Sequence, residues 1–338
     1  MDPITQGAFG AIAAQTQGKT KHIAKAAIIG ALAGMAPDLD VLIRSSNDSL
    51  LGLEYHRHFT HSLFFIPIGG LIVSLFLYPL LGRRFGISFL QTLIWCILGF
   101  ATHGLLDACT SYGTQLLWPL SDKRFAWDII SIIDPLVSLP LLTLIVLAAR
   151  RKSRRYVFIA LIWLAIYFSF SSYQHQRALD EGKKLAESRG LSIENIEAKP
   201  SFANIIVWKI ITTTKDAYYV DAMKLGLNKT TVWEGETVKK LSIERDLPWL
   251  AKPSFENMQQ RQDIERFRWF STGYIALDKN DPNRVVDIRY SLLPQQIQAL
   301  WGIKLDPDNT TPGHHALFYN DRGDGKGAIK TLWNMIID

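Results

Sequence analysis

Nine carboxylate and imidazole side chains in the first 134 residues of the chain stand at spacings that suit a bound metal ion. In chain order they are Asp38, Asp40, His56, His58, His61, His103, Asp107, Asp128 and Asp134. His103 and Asp107 stand four residues apart, so on a helix both side chains project from one face toward one point. Neutral imidazole with carboxylate, and without thiolate, suits zinc, manganese or iron. The pattern therefore predicts a divalent-metal site.

Five of these residues are the strongest candidates for ligands. His61, His103 and Asp107 each border an apolar run, where an ionisable group is costly and is usually functional. Asp38 and Asp40 follow a proline and are expected to project from a turn, as carboxylates in a loop at a metal commonly do.

The remaining candidates each have two interpretations. His56 could ligate the metal or, together with Arg57, bind a lipid phosphate; Arg57 could also hold an anionic group of a substrate. His58 could be a ligand or could face the lipid headgroups. Asp128 is either part of the site or an interfacial loop residue. Asp134 precedes a proline and either caps a helix or, like Asp128, serves as a general base.

The elements that carry these residues are apolar helices. Four segments reach the roughly 20 apolar residues needed to cross a hydrocarbon core about 30 Å thick: Ser62–Gly82, Phe85–Leu106, Ile129–Ala149 and Tyr156–Gln174. Ile4–Gln15 and Ile23–Pro37 are shorter and rich in the small residues that let membrane helices pack closely. We expect these two to form a helical hairpin against the bundle, with its turn at Gly18–His22.

Basic residues set the expected orientation, because short cytoplasmic loops are enriched in Lys and Arg. Arg83-Arg84 and the run Arg150–Arg155 lie between predicted spans, so both connections should be cytoplasmic. The candidate site and everything after about His175 then face outward. The chain has 37 Lys+Arg against 31 Asp+Glu. Nearly all of that excess lies in short clusters of the apolar half, which argues against a nucleic-acid partner.

After residue 175 the hydrophobic pattern changes. Gln176–Arg189 is expected to continue the last span as an amphipathic helix. Beyond it, β-branched and aromatic runs separated by turn residues predict strands at Ala203–Thr214, Asp216–Lys224, Phe267–Asp278, Arg284–Leu292 and His314–Tyr319, with a helix near Pro253–Arg266. The expected fold is a multi-pass α-helical membrane domain (1–175) followed by a mainly antiparallel β extracytoplasmic domain (176–338).

Five motifs occur together in the first 150 residues: Met1-Asp2-Pro3-Ile4-Thr5, Pro37-Asp38-Leu39-Asp40, His56-Arg57 with Thr60-His61-Ser62, His103-x3-Asp107, and Trp127-Asp128 with Asp134-Pro135. As a set they resemble the YdjM-like inner-membrane metal-dependent hydrolases. The resemblance implies a bacterial integral-membrane hydrolase with a divalent metal, zinc being expected. It puts Asp38, Asp40, His61, His103 and Asp107 in or beside the metal site, with His56 and Arg57 close by. The family looks distantly related to zinc-dependent phospholipase C and single-strand nucleases, which points to phosphoesters.

The chain departs from this family pattern at two positions. Such proteins commonly have histidine after Met-Asp-Pro-x-Thr, where this chain has Gln6, a poor metal ligand. A small residue usually follows the His-Arg pair, where this chain has His58. The sequence therefore leaves the number of metal ions open.

Three classes of function are compatible with these features. We favour a membrane-bound metal-dependent hydrolase that acts on a phosphoester or lipid-linked substrate at the outer face of the inner membrane. The alternatives are a non-catalytic, metal-stabilised envelope protein and, less favoured, a transporter, which would need polar residues through the depth of the bundle. The expected partners are the bilayer and a lipid substrate, and the oligomeric state is left open.

Overall fold

The structure is a computed structural model, which describes residues 1–226, 229–252, 258–309, 311–321 and 323–337. Its α-helices are α1 (Pro3–Gln17), α2 (Ile23–Met35), α3 (Leu51–Tyr55), α4 (Ile66–Leu77), α5 (Phe89–Ala108), α6 (Pro135–Arg151), α7 (Arg155–Ser188), α8 (Ile243–Asp246), α9 (Gln259–Phe270) and α10 (Gly325–Ile337). Its strands are β1 (Asn195–Pro200), β2 (Val207–Thr213), β3 (Ala217–Leu225), β4 (Thr230–Lys239), β5 (Ile275–Leu277), β6 (Arg284–Asp287), β7 (Trp301–Lys304) and β8 (Leu317–Asn320).

The chain divides into two compact units. The helical unit comprises Met1–Leu42, Tyr55–Tyr173 and Phe202–Ile205, and the β-rich unit comprises Ile43–Glu54, Gln174–Ser201 and Ile206–Asp338. Each unit therefore contains one short segment from the other half of the sequence: Ile43–Glu54 belongs to the β-rich unit, and Phe202–Ile205 belongs to the helical unit. The helix α7 begins in the helical unit and ends in the β-rich unit.

The predicted N-terminal hairpin is present in the helical unit. The helices α1 and α2 pack through small residues, and a side chain on Gly10 would collide with the backbone carbonyl of Gly30. The backbone of Gly30 also meets Gly99 of α5 in the same way. Glycines at these crossings let three helix backbones touch, the packing mode that membrane helices favour.

Three helical stretches of the described residues are long and apolar enough to cross a membrane: Leu63–Gly82, Phe89–Ala108 and Arg155–Ser188. The first combines α4 with a 3₁₀ turn, Leu63–Phe65, before it and a π-helical turn, Tyr78–Gly82, after it. Its outer face exposes large apolar side chains, such as Leu75 and Phe76, as expected for a surface that faces lipid. The third stretch confirms that the last span continues as one helix beyond the apolar run.

The structure corrects the expected span Ile129–Ala149. Its helix, α6, starts only at Pro135, because Asp134 caps it through the backbone N–H of Leu136. The six residues before Pro135 are irregular, so the helix has 17 residues and is not among the three candidate spans of the described residues.

The β-rich unit contains two four-stranded antiparallel sheets with the strand orders β1-β2-β3-β4 and β5-β6-β7-β8. Side chains from both sheets form one apolar cluster, which includes Ile211, Val220, Ala276 and Val286. A second cluster joins Val207 and Ala222 to buried side chains of α10. The prediction of a mainly antiparallel β region is confirmed.

Several details of the strand prediction are wrong. The strands β1, β4 and β7 were not expected, and the first four residues of the expected strand Phe267–Asp278 form the last turn of α9. The helix expected near Pro253–Arg266 is present as α9; residues 253–257 lie outside the described residues.

The exchanged segment Ile43–Glu54 is held by polar contacts inside the β-rich unit. Arg266 of α9 pairs with Asp48 at 2.7 Å and contacts Glu54. The hydroxyl of Ser49 donates to the backbone carbonyl of Ala316 at 2.9 Å. The segment leaves the helical unit two residues after Asp40 and returns directly before His56.

Candidate metal centre

Four of the predicted ligands converge at one end of the helical unit. Asp38 lies on the 3₁₀ turn Ala36–Leu42, which directly follows α2. His61 ends the short turn Phe59–His61 before α4. His103 and Asp107 occupy the last two turns of α5, four residues apart as the sequence predicts. Three separate segments thus bring Asp38, His61, His103 and Asp107 together, and we call these residues the four-donor cluster.

The donor atoms of this cluster lie close enough to share one ion. Nε2 of His61 lies 2.9 Å from Nε2 of His103 and 3.2 Å from Oδ2 of Asp107. Oδ1 of Asp38 lies 3.2 Å from Nε2 of His103 and 3.5 Å from Nε2 of His61. All four donors lie within 4.8 Å of one another.

These spacings fit a tetrahedral ion. Four ligands that each lie about 2.0–2.1 Å from a central zinc ion are separated from one another by about 3.3–3.4 Å. Five of the six separations between the donors run from 2.9 Å to 3.7 Å. Two imidazole nitrogens that face each other across a buried gap, with two carboxylates beside them, form a donor set for a divalent cation. The His/Asp cluster could therefore hold a metal ion.

Hydrogen bonds to the other ring nitrogens orient both histidines. Nδ1 of His103 lies 2.5 Å from the backbone carbonyl of Gly34. Nδ1 of His61 lies 3.2 Å from Oδ2 of Asp40. A carbonyl and a carboxylate in these places favour the tautomer that leaves Nε2 free to bind a metal, and such partners accompany histidine ligands in most metal sites.

Asp40 and His56 form a second layer beside the four-donor cluster. Besides contacting His61, Asp40 lies 2.9 Å from Nδ1 of His56 and accepts a hydrogen bond from the hydroxyl of Thr60. Asp38, Asp40 and His56 also qualify together as a three-residue group that could hold an ion. The structure thus brings all six predicted ligands into one continuous cluster.

The charge of this cluster is negative on its open side. Burial acts to raise the pKa of Asp40, but hydrogen bonds from His56 and His61 hold that pKa well below its usual range. Burial likewise opposes ionisation of Asp38, and contacts with His103 and His61 outweigh it, so its pKa is also lowered. The side chain of Asp38 is 23% exposed, whereas His61, His103 and Asp107 are fully buried. A cation would therefore meet ionised Asp38 first.

Arg57 is directed at a carboxylate of the site. Its Nε lies 3.0 Å from Oδ2 of Asp107, and another of its nitrogens donates to the hydroxyl of Thr110 at 2.9 Å. The guanidinium also lies over the ring of Tyr112. Arg57 has a left-handed backbone conformation (φ 63°) and is almost completely buried. These contacts tie its charge to Asp107.

The N-terminal segment completes the surroundings of Asp107. The amino group of Met1 contacts Oδ1 of Asp107, and the side-chain amide of Gln6 donates to the same oxygen at 2.8 Å. Gln6 thus occupies the site as a hydrogen-bond donor to a candidate ligand. Its place beside Asp107 was not evident from the sequence, although its departure from the family pattern was.

Gly104 brings the segment of His61 against α5. A side chain on Gly104 would collide with the backbone carbonyl of His61. Because Gly104 directly follows His103, the missing side chain lets the two histidines meet. Sequence reasoning did not identify this glycine, and its position inside the motif His103–Asp107 was the available signal.

Three further candidates lie outside both of the groups that could hold a metal ion among the described residues. The ring of His58 packs against those of Tyr55 and Trp118. Asp134 caps α6 and accepts a hydrogen bond from the hydroxyl of Tyr167 at 2.6 Å, which matches the capping interpretation. Asp128 is buried, with φ 55°.

Comparison with known proteins shows that the helical half of the chain is similar to a family of inner membrane proteins. The sequence model of the family described as "YdjM inner membrane protein" matches residues 1–178. The chain is 29% identical over 204 residues to "Uncharacterized protein YfhP" of Bacillus subtilis (strain 168), which covers 60% of each chain. It is 34% identical over 112 residues to "Inner membrane protein YbcI" of Escherichia coli (strain K12), which covers 30% of this chain and 60% of that protein. The chain thus spans about 60% of the length of each of these relatives. No solved structure matches it.

Proposed function

The chain belongs to the YdjM inner membrane protein family, and from this premise we propose that it is a metal-dependent hydrolase whose centre is the four-donor cluster. The observation that carries the proposal is the spacing of the four donor atoms, together with the Nδ1 contacts that direct both Nε2 atoms toward the other donors. Family membership and the three apolar helices support localisation in the inner membrane.

Zinc is the ion we propose, because two imidazoles and two carboxylates at tetrahedral spacing suit it. A bound zinc ion would polarise an oxygen of the scissile group and lower the pKa of a water molecule. On the buried side, the ion would be held by His61, His103 and Asp107. Asp38 lies at the open side, where it meets solvent and substrate.

We propose distinct roles for the three residues that the sequence assigns to catalysis. Arg57 holds Asp107 in position, since its contacts are with that carboxylate and with neighbouring residues. Asp134 supports the site by fixing the start of α6 and the hydroxyl of Tyr167. Asp128 remains our candidate for a general base that becomes engaged with substrate bound.

The substrate we propose is a phosphoester carried by a lipid. Two apolar residues beside the acidic pair are exposed: Leu39 at 64% and Leu42 at 75%. The site also lies at the end of the span Phe89–Ala108. A substrate that diffuses laterally in the bilayer would find an apolar rim and a metal centre at the same depth.

The decisive experiment measures hydrolysis by purified wild-type protein reconstituted in liposomes with zinc. A phosphodiester with an acyl chain should be cleaved, and His103→Ala should lose at least 100-fold of the rate. His58→Gln is the matched control, because its ring packs on Trp118 outside the metal-binding groups. Zinc bound by wild-type protein without turnover of any ester would contradict the proposal and favour the non-catalytic alternative.

That alternative has one supporting observation. Four protein donors complete a tetrahedron by themselves, and structural zinc sites are closed in this way. Asp38→Ala separates the two functions: a catalytic centre should lose activity while the three buried donors keep a weaker-bound ion. If the centre is structural, Asp38→Ala should lower the thermal stability, and neither the wild-type protein nor the variant should turn over the ester.

The lipid part of the proposal has its own test. The same phosphoester headgroup is assayed with and without an acyl chain, and the acylated form should be turned over much faster. Equal turnover of the two forms would contradict the lipid assignment and leave the hydrolase intact.

We also propose that residues 176–338 lie outside the cytoplasm. The support is the basic run Arg150–Arg155 immediately before the last span, since short cytoplasmic loops are enriched in Lys and Arg. A reporter that is active only in the cytoplasm, fused after the last residue, should be silent. Activity there would reverse the orientation.

A further inference from the structure

The last helix of the β-rich unit has an apolar surface wider than its packing covers. Ala328, Leu332 and Met335 of α10 are buried, and Leu332 and Met335 join the cluster with Val207 and Ala222. On the other side, Ile329, Trp333 and Ile337 are 58%, 60% and 61% exposed.

The two sets are neighbours around the helix axis. At 3.6 residues per turn, Ile329 and Ile337 each lie about 40° from Trp333, and the buried set begins about 100° from Trp333. The apolar sector therefore covers about 200° of the helix, and only half of it is used for packing. Each exposed apolar side chain lies four positions after the previous one, so the three side chains form one continuous stripe along the helix.

Lysines border this exposed stripe. Lys326 and Lys330 are both exposed and fall about 20° and 60° from Trp333 on the side away from the core. The remaining exposed positions farther round, such as Thr331 and Asn334, are polar. Lysines beside a Trp and Ile stripe are the composition of helices that lie in the headgroup layer of a bilayer.

The exposed stripe of α10 is suited to a bilayer surface, because the same chain is held in a membrane. The chain belongs to an inner membrane family. The second segment of its β-rich unit begins at Gln174, within the candidate span helix α7. The unit is thus tethered to the membrane by a continuous helix. Its cationic edge complements anionic lipid, where each juxtamembrane Lys or Arg contributes to binding.

We propose that α10 is an in-plane anchor that lays Ile329, Trp333 and Ile337 into the headgroup region of a bilayer containing anionic lipid. Lys326 and Lys330 bind the lipid phosphates. This surface is independent of the metal centre, and the inference stands whether or not the chain is a hydrolase.

The test uses the full-length protein in liposomes with a nitroxide spin label at one of two positions on α10. Ile329→Cys places the label on the apolar stripe, and Thr331→Cys places it on the polar side of the same helix as the matched control. Cys96 and Cys109 are buried, so labelling of the folded protein is directed to the new thiol. Thermal unfolding of each labelled protein verifies that it is folded.

In liposomes with anionic lipid, the label at 329 should collide more with oxygen than with a water-soluble nickel chelate, and the label at 331 should show the reverse. Liposomes of purely zwitterionic lipid should reduce the oxygen preference at 329. Equal nickel access at 329 and 331 would overturn the proposal. Low access to both reagents at 329 would also overturn it, because it would mean that another protein surface covers the stripe. Identical oxygen access in the two lipid mixtures would refute the role of the lysines.

Discussion

Oδ2 of Asp40 lies 3.2 Å from Nδ1 of His61, on the side of the imidazole opposite the other three members of the four-donor cluster. Asp40 thereby acts on the candidate centre through a histidine. Metal sites depend on such partners for the orientation and basicity of their ligands.

Asp40→Asn should weaken metal binding without abolishing it. An amide keeps the size of the carboxylate and loses its charge, so the affinity should fall by about 10–100-fold. Titration of metal-free protein against a competing chelator measures the change, with His58→Gln as the control. An unchanged dissociation constant would remove Asp40 from the site, and complete loss of binding would make it a direct ligand.

The three buried donors should each be essential for the bound ion. His61→Ala, His103→Ala and Asp107→Ala should each cost most of the metal, because only two buried donors and the partly exposed Asp38 would remain to hold the ion. Elemental analysis of protein purified in detergent gives the stoichiometry. Full metal content in all three variants would reject the site as described.

Gly104→Ala should damage the centre without changing any ligand. The new methyl group would collide with the backbone carbonyl of His61, so the segment must move away from α5 and the Nε2 atoms must separate. We expect at least a tenfold loss of metal affinity in the chelator titration. Gly7→Ala is the control, since its added carbon would meet the Met35 side chain and the Ala31 carbonyl at ordinary contact distances. Equal affinity in both variants would contradict the close contact.

The β-rich unit should become more stable as the pH rises above neutrality. Burial lowers the pKa of Lys209 to about 7, with Asp287 opposing the shift and Lys199 adding to it. Below pH 7 the lysine is protonated in both the folded and the unfolded protein. Between about 7 and 10.5 the unfolded chain holds a proton that the folded protein has released, so the free energy of unfolding rises with pH. The contribution is at most about 1.4 kcal/mol per pH unit.

Lys209→Met should flatten this dependence, and thermal unfolding of the detergent-purified protein at pH 6 and pH 9 measures it. The surface variant Lys304→Met should keep the wild-type slope, because Lys304 is exposed. The same slope in the Lys209 variant would assign the pH dependence to another group.

The helical unit was largely predictable because its signals are local. Helical hairpin packing follows from small residues in α1 and α2, and the pairing of His103 with Asp107 follows from four-residue spacing. The start of α6 was misjudged because Ile129, Ile130, Ile132 and Ile133 are as apolar as a span. There, Asp134-Pro135 was a stronger signal than hydropathy: aspartate caps the helix and proline opens it.

The β-rich unit was less predictable because some of its strands are polar. The strands β1 and β4 are the edges of their sheet, and the burial of β4 is intermediate or exposed throughout. Edge strands need no continuous apolar run, so hydrophobic alternation misses them. The partners of Asp40 and Gln6 were likewise hidden, since those contacts join residues 21 and 101 positions apart.

The segment Ile43–Glu54 has a consequence for how this protein can be divided or recombined. Its ends lie beside Asp40 and His56, while its own partners, Arg266 and Ala316, come from the far end of the chain. An early segment of the sequence thus depends on residues from its end. A protein truncated after the last span would keep these twelve residues without the partners that hold them. Grafting the helical half onto a foreign C-terminal half would be incomplete unless this loop were exchanged as well.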